Sequence, residues 1–467
     1  NEVEFLERPA LRCAVWIVII LLFAITNFPW HLDNYDQAKQ AFTSFEMVNE
    51  GHWIYQHTPN EKIATKPPLV GWISATCYEI TRTWEVAWRL PSLAAALAIA
   101  VVLLRAANVY GLAAGTIALG AFGLNLLSPR LATLVRTDMP LALVIFLLGW
   151  KILKKIRARG SWESHDRVIM FVLLTAAMLI KGPIVYAFLL PGVVAFQLWK
   201  REEAASAWCG WWPWIASLTI FGLWVAAGVQ WVPGFYEQVV LKEFAGRFGE
   251  TLHRPQPFYF YLPHLLQKFA PWSLLSLGLG VAAWRAREKC SPDIFWLVVW
   301  SLGGLVVMSL IPSKRVDRIF PIVPPLCLLI AAQFSAHPVP ARRWSVIALL
   351  VALIFTGAYS AEKIFTAYRH DEGALARFGA QVRREAAAKN WRYEVLGGKD
   401  EGLLLYLRRT RFIRPNEALE LWNSGKLEAL VTPVNDAWQL PDANPRAEGF
   451  VNVNGEQRRY LFLSHRQ

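Results

Sequence analysis

Apolar runs long enough to cross a bilayer recur along most of the chain and then stop. A membrane-spanning helix needs about 20 mainly apolar residues. Such runs occupy roughly 12–30, 88–106, 109–128, 138–152, 167–181, 184–199, 210–231, 269–286, 292–311, 318–335 and 343–360. A further stretch, 67–82, is shorter and carries Glu79 and Arg82 in its last turn. Beyond about residue 360 the pattern changes. Helical periodicity over Ala374–Lys389 is followed by short strand-like runs at Tyr393–Leu396, Leu403–Leu407, Ala429–Thr432 and Tyr460–Leu463. A short helix is expected at Leu419–Trp422, ending at Ser424-Gly425.

Charge sets the orientation of the spans. Lysine and arginine concentrate in short cytoplasmic loops. The densest basic cluster is KILKKIRARG, Lys151–Gly160. Placing it inside also puts Lys200-Arg201, Arg285, Arg287, Lys289 and Arg342-Arg343 inside, and Asp138 outside. The segment His31–Arg82 is then outside if 67–82 does not cross; a crossing would move Arg8 and Arg12 to the outside. The stretch 67–82 is therefore expected to lie along the outer membrane surface as an interfacial helix. The first apolar run follows Arg8 and Arg12 and has no small-x-small cleavage site after it, so it reads as an uncleaved span with the N-terminus inside. The expected organisation is a transmembrane domain over 1–360, with outer loops at 31–87 and 232–268, and an outer-face α/β domain over 361–467.

Composition removes the soluble alternative. The chain is 55% hydrophobic and only 18% charged, with mean hydropathy +0.30, against about 25% charged residues in a soluble domain. Its 23 Trp and 26 Phe suit the membrane interface. The net charge of +13 would suggest nucleic acid in a soluble protein. Here it belongs to cytoplasmic loops and anionic lipid heads, and no nucleic-acid partner is expected. The five cysteines are scattered without a CxxC pair and read as small apolar residues. One group of cations breaks the inside rule: Lys39, Lys62, Lys66, Arg89, Lys181, Lys242, Arg247, Lys268, Lys314, Arg315 and Arg318 all fall outside or at outer span ends. Such a set points to an anionic ligand on the outer face, phosphate being the simplest.

Several residues carry candidate chemistry. Asp36 and Lys39 are three apart, so on a helix they share a face. A carboxylate beside a lysine stays ionised, which suits a general base or a metal ligand next to an anion. Asp138 stands at the outer boundary of a span, where an ionisable residue is a functional candidate. Lys66-Pro67-Pro68 begins a helix, placing a lysine at the positive end of a helix dipole. Lys181-Gly182-Pro183 repeats that arrangement between two spans. In the loop 232–268, Glu243 and Arg247 form an i,i+4 pair, followed by His253 and an aromatic-proline stretch.

These motifs, in this order, resemble the bacterial polyprenyl-phosphate-dependent glycosyltransferases of the GT-C superfamily, in the aminoarabinose-transferase and protein-mannosyltransferase-like branch. The first outer loop of that family carries an Asp, usually Asp-Glu, then a Gly-Asp-Trp-like segment, then Glu-Lys-Pro-Pro. Here these stand as Asp36-Gln37, Gly51-His52-Trp53 and Thr65-Lys66-Pro67-Pro68. Asp138, Lys181–Pro183, the series Glu243, Arg247-Phe248, His253, Pro257, Tyr261-Leu262, Pro271-Trp272, and Ser313-Lys314, Pro321, Pro324-Pro325-Leu326 match later motifs. The resemblance covers residues ~12–335. Gln37 and Thr65 depart from it, each replacing an acidic residue.

The resemblance implies a polytopic α-helical membrane protein of GT-C type, with about 11 spans and a small C-terminal α/β domain. It implies a bacterial cytoplasmic-membrane enzyme whose site and C-terminal domain face the periplasm. That enzyme would move a sugar from a polyprenyl phosphate to a lipid, glycan or protein acceptor by inverting transfer. Asp36 is expected as the base, with Asp138 holding the sugar or orienting the acceptor. Lys39, Lys66, Lys181, Lys314 and Arg318 are expected at the donor phosphate, and Glu243, Arg247 and His253 in substrate binding or loop support. A divalent metal is admitted but not required, with Asp36 and His253 as its candidate ligands. Two other classes remain from the sequence: a lipid-linked sugar transporter or flippase, and a non-catalytic sugar-lipid-binding protein. The clustering of ionisable residues at span ends, instead of along a mid-membrane path, speaks against the transporter.

Overall fold

The computed structural model describes residues 6–32, 35–200, 204–247, 255–285, 290–336, 339–397, 400–453 and 456–465. In chain order its first helices are α1 (Pro9–Ile25), α2 (Tyr35–Glu50), α3 (Leu69–Thr81), α4 (Leu90–Ala107) and α5 (Leu112–Gly123). Then come α6 (Asp138–Ala158), α7 (Ser164–Lys181), α8 (Ile184–Trp199), α9 (Trp212–Trp231), α10 (Trp272–Arg285), α11 (Pro292–Leu310) and α12 (Val323–Ala336). The last are α13 (Val339–Arg369), α14 (Ala374–Ala388), α15 (Glu401–Leu407) and α16 (Pro415–Asn423). Each apolar run expected to span falls on a helix, namely α1 and α4 to α13. Among the described residues, five helical stretches are long and apolar enough to cross a membrane: Leu90–Tyr110, Ala205–Trp231, Pro292–Leu310, Val316–Ala336 and Arg343–Arg369. Helix α3 rises only about 20 Å over its length, short of a hydrocarbon core of about 30 Å.

The chain divides into two compact units. The first comprises Asn1–Thr26, Thr65–Val70 and Arg89–Ala361, and holds the apolar helices. Its interior shows why small residues sit where they do. Pro191 and Gly192 on α8 lie against Gly303 and the Trp300 backbone on α11. A Cβ on Gly192 would stand 2.9 Å from Trp300 Cα, and one on Gly303 3.0 Å from the Gly192 nitrogen. In lipid, helices gain little from burying apolar surface against each other, so close packing of small residues supplies the association. Helix α5 is short, but its residues from Ala113 to Gly123 are buried, so it lies among other helices.

The second unit comprises Asn27–Ala64, Gly71–Trp88 and Glu362–Gln467. The hydropathy boundary near 360 therefore divides the sequence, whereas in space 27–64 and 71–88 pack with 362–467. The cause is local. Helix α2 buries Ala38, Ala41, Phe42 and Phe45 and packs on α15. The Leu32 amide donates to the Tyr406 hydroxyl at 2.7 Å. Asn60 exchanges two hydrogen bonds with the Phe412 backbone, at 2.9 and 3.2 Å.

A small hairpin follows α2: β1 (His57–Thr58) pairs antiparallel with β2 (Lys62–Ile63). The C-terminal sheet contains β3 (Tyr393–Val395), β4 (Ala429–Pro433), β5 (Ala443–Val453) and β6 (Glu456–His465), in the order β3-β4-β6-β5. The β3–β4 pair is parallel and the others are antiparallel. One sequence expectation fails here, and one strand was not named. Leu403–Leu407 lies in helix α15, not in a strand. Every residue of α15 is buried, and an apolar run enclosed on all sides has no period to betray it; unbranched leucine favours helix. The long strand β5, which contains Pro445 and Gly449, is not among the strands expected from sequence. It is an edge strand with an irregularity between Pro445 and Ala447, where proline is tolerated.

Candidate functional site

In the first unit, charged residues from distant segments meet at the ends of α6 and α7. Asp138 opens α6, where Pro140 fits the first turn. Lys181 closes α7, and Gly182, with φ of 75°, turns the chain into α8. The Lys181 ammonium donates to the Asp138 carboxylate, and the two side chains are only 10% and 8% exposed. Arg136 and Lys66 also act electrostatically on that carboxylate. Four sequence-predicted or neighbouring residues thus share one locality.

A second carboxylate lies in the same network. Asp317 accepts from Arg136 Nη1 at 2.7 Å and from Arg130 Nη1 at 3.2 Å, and it is buried. Arg318 Nη1 donates to the Ser313 carbonyl at 2.7 Å and to its hydroxyl at 3.1 Å. Lys314 Nζ donates to the Gln256 carbonyl at 2.9 Å. Buried charges persist only when paired or hydrogen-bonded. Among the described residues, these two carboxylates are outnumbered by Lys66, Arg130, Arg136, Lys181 and Arg318, a surplus of positive charge. Arg130, Arg136 and Asp317 were not singled out from sequence. The Arg136–Asp317 contact spans 181 positions, and the only local signals were an arginine two before Asp138 and an aspartate one before Arg318.

A cavity of about 260 Å³ adjoins these cations. Leu141, Ile184, Phe188, Met308 and Ile311 give it apolar walls; Lys181, Ser313 and Arg318 are its polar members. An apolar cleft with a few convergent polar groups is the usual form of a ligand site. Here the polar groups suit an anion and the walls suit a hydrocarbon.

In the second unit, Asp36 lies in the first turn of α2 and Lys39 at the start of the next, and both are half-buried. Lys39 acts on the buried Glu401, whose carboxyl is pushed up chiefly by burial and eased back by Lys39 and other groups. Glu243 falls in the helical segment Tyr236–Phe244 and Arg247 in Ala245–Arg247. His253 lies outside the described residues. Of the expected metal ligands, Asp36 is therefore the one described. Thr65 offers a neutral hydroxyl where the resembled family has a carboxylate, so that donor set is one anion short.

Comparisons with known proteins bear on the fold and the relationship. No family model matches the chain. The undecaprenyl phosphate-alpha-4-amino-4-deoxy-L-arabinose arabinosyl transferase 2 of Proteus mirabilis is 24% identical over 340 residues, covering 69% of this chain and 58% of that protein. The corresponding transferase of Pseudomonas savastanoi pv. phaseolicola is 26% identical over 320 residues, covering 65% of this chain and 57% of that one. The chain thus matches between half and three-fifths of these relatives' length. The crystal structure of ArnT from Cupriavidus metallidurans bound to undecaprenyl phosphate superposes with a TM-score of 0.69, at 18% identity, covering 97% of each chain. The chain shares the fold of that structure: a polytopic helical membrane protein with a small C-terminal sheet domain.

Proposed function

We propose that this chain is a membrane glycosyltransferase that moves a sugar from a polyprenyl phosphate to an acceptor on the outer face of a bacterial inner membrane. The observation that carries the reading is the apolar cavity bearing Lys181 and Arg318, beside the buried Asp138–Lys181 pair. A polyprenyl phosphate has the same two halves, a hydrocarbon tail and an anion. The names of the sequence relatives, which specify undecaprenyl phosphate-linked sugar donors, support the same class. The positive-inside argument supports the outward orientation.

In the proposed transfer, an acceptor oxygen attacks the anomeric carbon with inversion. The bond from that carbon to the phosphate oxygen breaks, and the lipid phosphate leaves with its electron pair. Asp36 takes the acceptor proton. Lys181 and Arg318, with Lys66 near them in charge, stabilise the negative charge that grows on the leaving phosphate. Asp138 holds the Lys181 ammonium in place, a positioning role in addition to any contact with substrate.

The test is transfer by purified full-length protein supplied with polyprenyl-phospho-sugars and candidate lipid acceptors. Asp36→Asn should lower the turnover number by about 10²–10⁴-fold, the usual contribution of a positioned base. Transfer at the wild-type rate by well-folded variant would remove Asp36 from the mechanism. Failure of the wild-type protein to move sugar from any such donor, with donor binding intact, would favour a binding protein of the same fold.

A further inference from the structure

The second unit contains a cluster that the proposed transfer does not use. Glu46 lies in the last turns of α2, His52 follows the helix, and His57 begins β1. Gly51, with φ of 85°, reverses the chain between them, a conformation glycine adopts without strain. The Ala64 amide donates to the Gln56 carbonyl at 2.7 Å, and the Trp72 indole donates to the Trp53 carbonyl at 2.6 Å, fixing the segment 53–56. The three side chains are thereby set around one point. His52 Nδ1 contacts Glu46 Oε1, and His57 Nδ1 lies 3.6 Å from the same oxygen. The two imidazole rings cross with centroids 4.2 Å apart at 73°. One ligating atom from each residue falls within 4.8 Å of the others.

The carboxylate is what makes this more than a chance grouping. Glu46 is 4% exposed, and its Oε2 has no hydrogen-bond partner among the described residues. His57 Nδ1 is likewise buried without one. A buried carboxylate needs a compensating positive charge. Its neighbours here are two imidazoles, which supply charge only on binding a proton or coordinating a metal.

We infer that Glu46, His52 and His57 form a binding site for a borderline divalent transition ion of the zinc class. Two imidazole nitrogens and one carboxylate oxygen suit that ion. The ligands close with a modest inward movement, since Zn–N and Zn–O bonds are about 2.0–2.2 Å. His52 is 43% exposed, so the fourth position faces solvent and takes water. The bound ion ties the end of α2 to the hairpin that follows it. His52 occupies the position where the resembled family carries the Asp of its Gly-Asp-Trp-like segment, so the site is a feature of this chain's own residues.

The test uses the full-length protein in detergent, stripped of metal and titrated with Zn2+ and Co2+. One Co2+ per chain should give the intense visible absorption of a tetrahedral N/O site, and Zn2+ should raise the unfolding temperature. Both readouts need only the wild-type protein. Glu46→Gln, His52→Gln and His57→Gln, each nearly isosteric, should weaken binding by at least about 10-fold, the lower range even for outer-shell changes. Asp36→Asn should leave the Co2+ spectrum unchanged. The inference is overturned if wild-type protein takes up no Co2+ in a tetrahedral site. It is equally overturned if the three Gln variants keep the wild-type spectrum and affinity, or if Asp36→Asn abolishes them.

Discussion

The two units solve the same problem, a buried carboxylate, in different ways. In the membrane unit Asp138 faces Lys181, and Asp317 faces Arg136 and Arg130. Those partners are one lysine and two arginines. In the second unit Glu46 faces two histidines. Their charge is conditional on a proton or a metal. Permanent cations in excess suit a region that must receive a further anion. Conditional ones suit a region whose structure depends on an ion.

The largest effect expected in breaking this contrast is on Asp317. Asp317→Ala would leave Arg136 and Arg130 without the carboxylate they share. Removing one partner of a buried ion pair costs about 3–5 kcal/mol. A fall in unfolding temperature much greater than for substitutions of exposed charges, read by thermal unfolding in detergent, is the expected result. A negligible fall would mean that water reaches the network.

Next comes Lys181→Met, which keeps the stem and removes the charge. Binding of polyprenyl phosphate should weaken by about 10- to 100-fold, from loss of one charge-assisted hydrogen bond worth about 1.5–3 kcal/mol. Unchanged lipid-phosphate affinity would confine Lys181 to its pairing with Asp138. The double variant Asp138→Asn/Lys181→Met should lose less stability than the two single losses combined, because neither charge is left stranded.

The smallest effect sharpens the comparison from the exposed side. Arg392 binds Glu428 through Nε and Nη2 at 3.2 and 2.9 Å, and its backbone amide adds a bond at 2.9 Å. Hydrogen bonds from Arg392 hold the Glu428 carboxyl down from its usual 4.5 to about 2. A depressed carboxyl stabilises the fold above its unfolded value, and that contribution disappears as pH falls through about 2. Glu428→Gln should therefore lower stability slightly at neutral pH, where the pair contributes, leave it unchanged below about 2, and so flatten the acid limb between about 4.5 and 2; the loss is small because the pair is exposed to solvent. A marked loss at neutral pH would show that this exposed pair supports the sheet.

The sequence is legible where a pattern is repeated and local. Spans announce themselves by length and composition, so α1 and α4 to α13 are legible without reference to their packing. Lys66 and Lys181 could be singled out because each sits beside a proline or glycine at a helix boundary, and Asp138 because it stands at the outer end of an apolar span. Contacts between distant segments leave no such trace. Nothing near Asp317 in sequence shows that Arg136 will bind it. Glu46, His52 and His57 belong to a helix, a turn and a strand, so no single period joins them. Burial also erases the pattern: α15 has no polar face from which its helical period could be read.

The glycine contact between α8 and α11 has a consequence for the cavity. Ile184 and Phe188 come from one of these helices and Met308 from the other. Their axes are held together at Gly192 and Gly303, where no methyl group fits. The bore of the slot is therefore written in the backbone, while its texture is written in the side chains. Substitutions at Ile184 or Met308 can retune which hydrocarbon the slot grips. A side chain added at either glycine would push the two backbones apart.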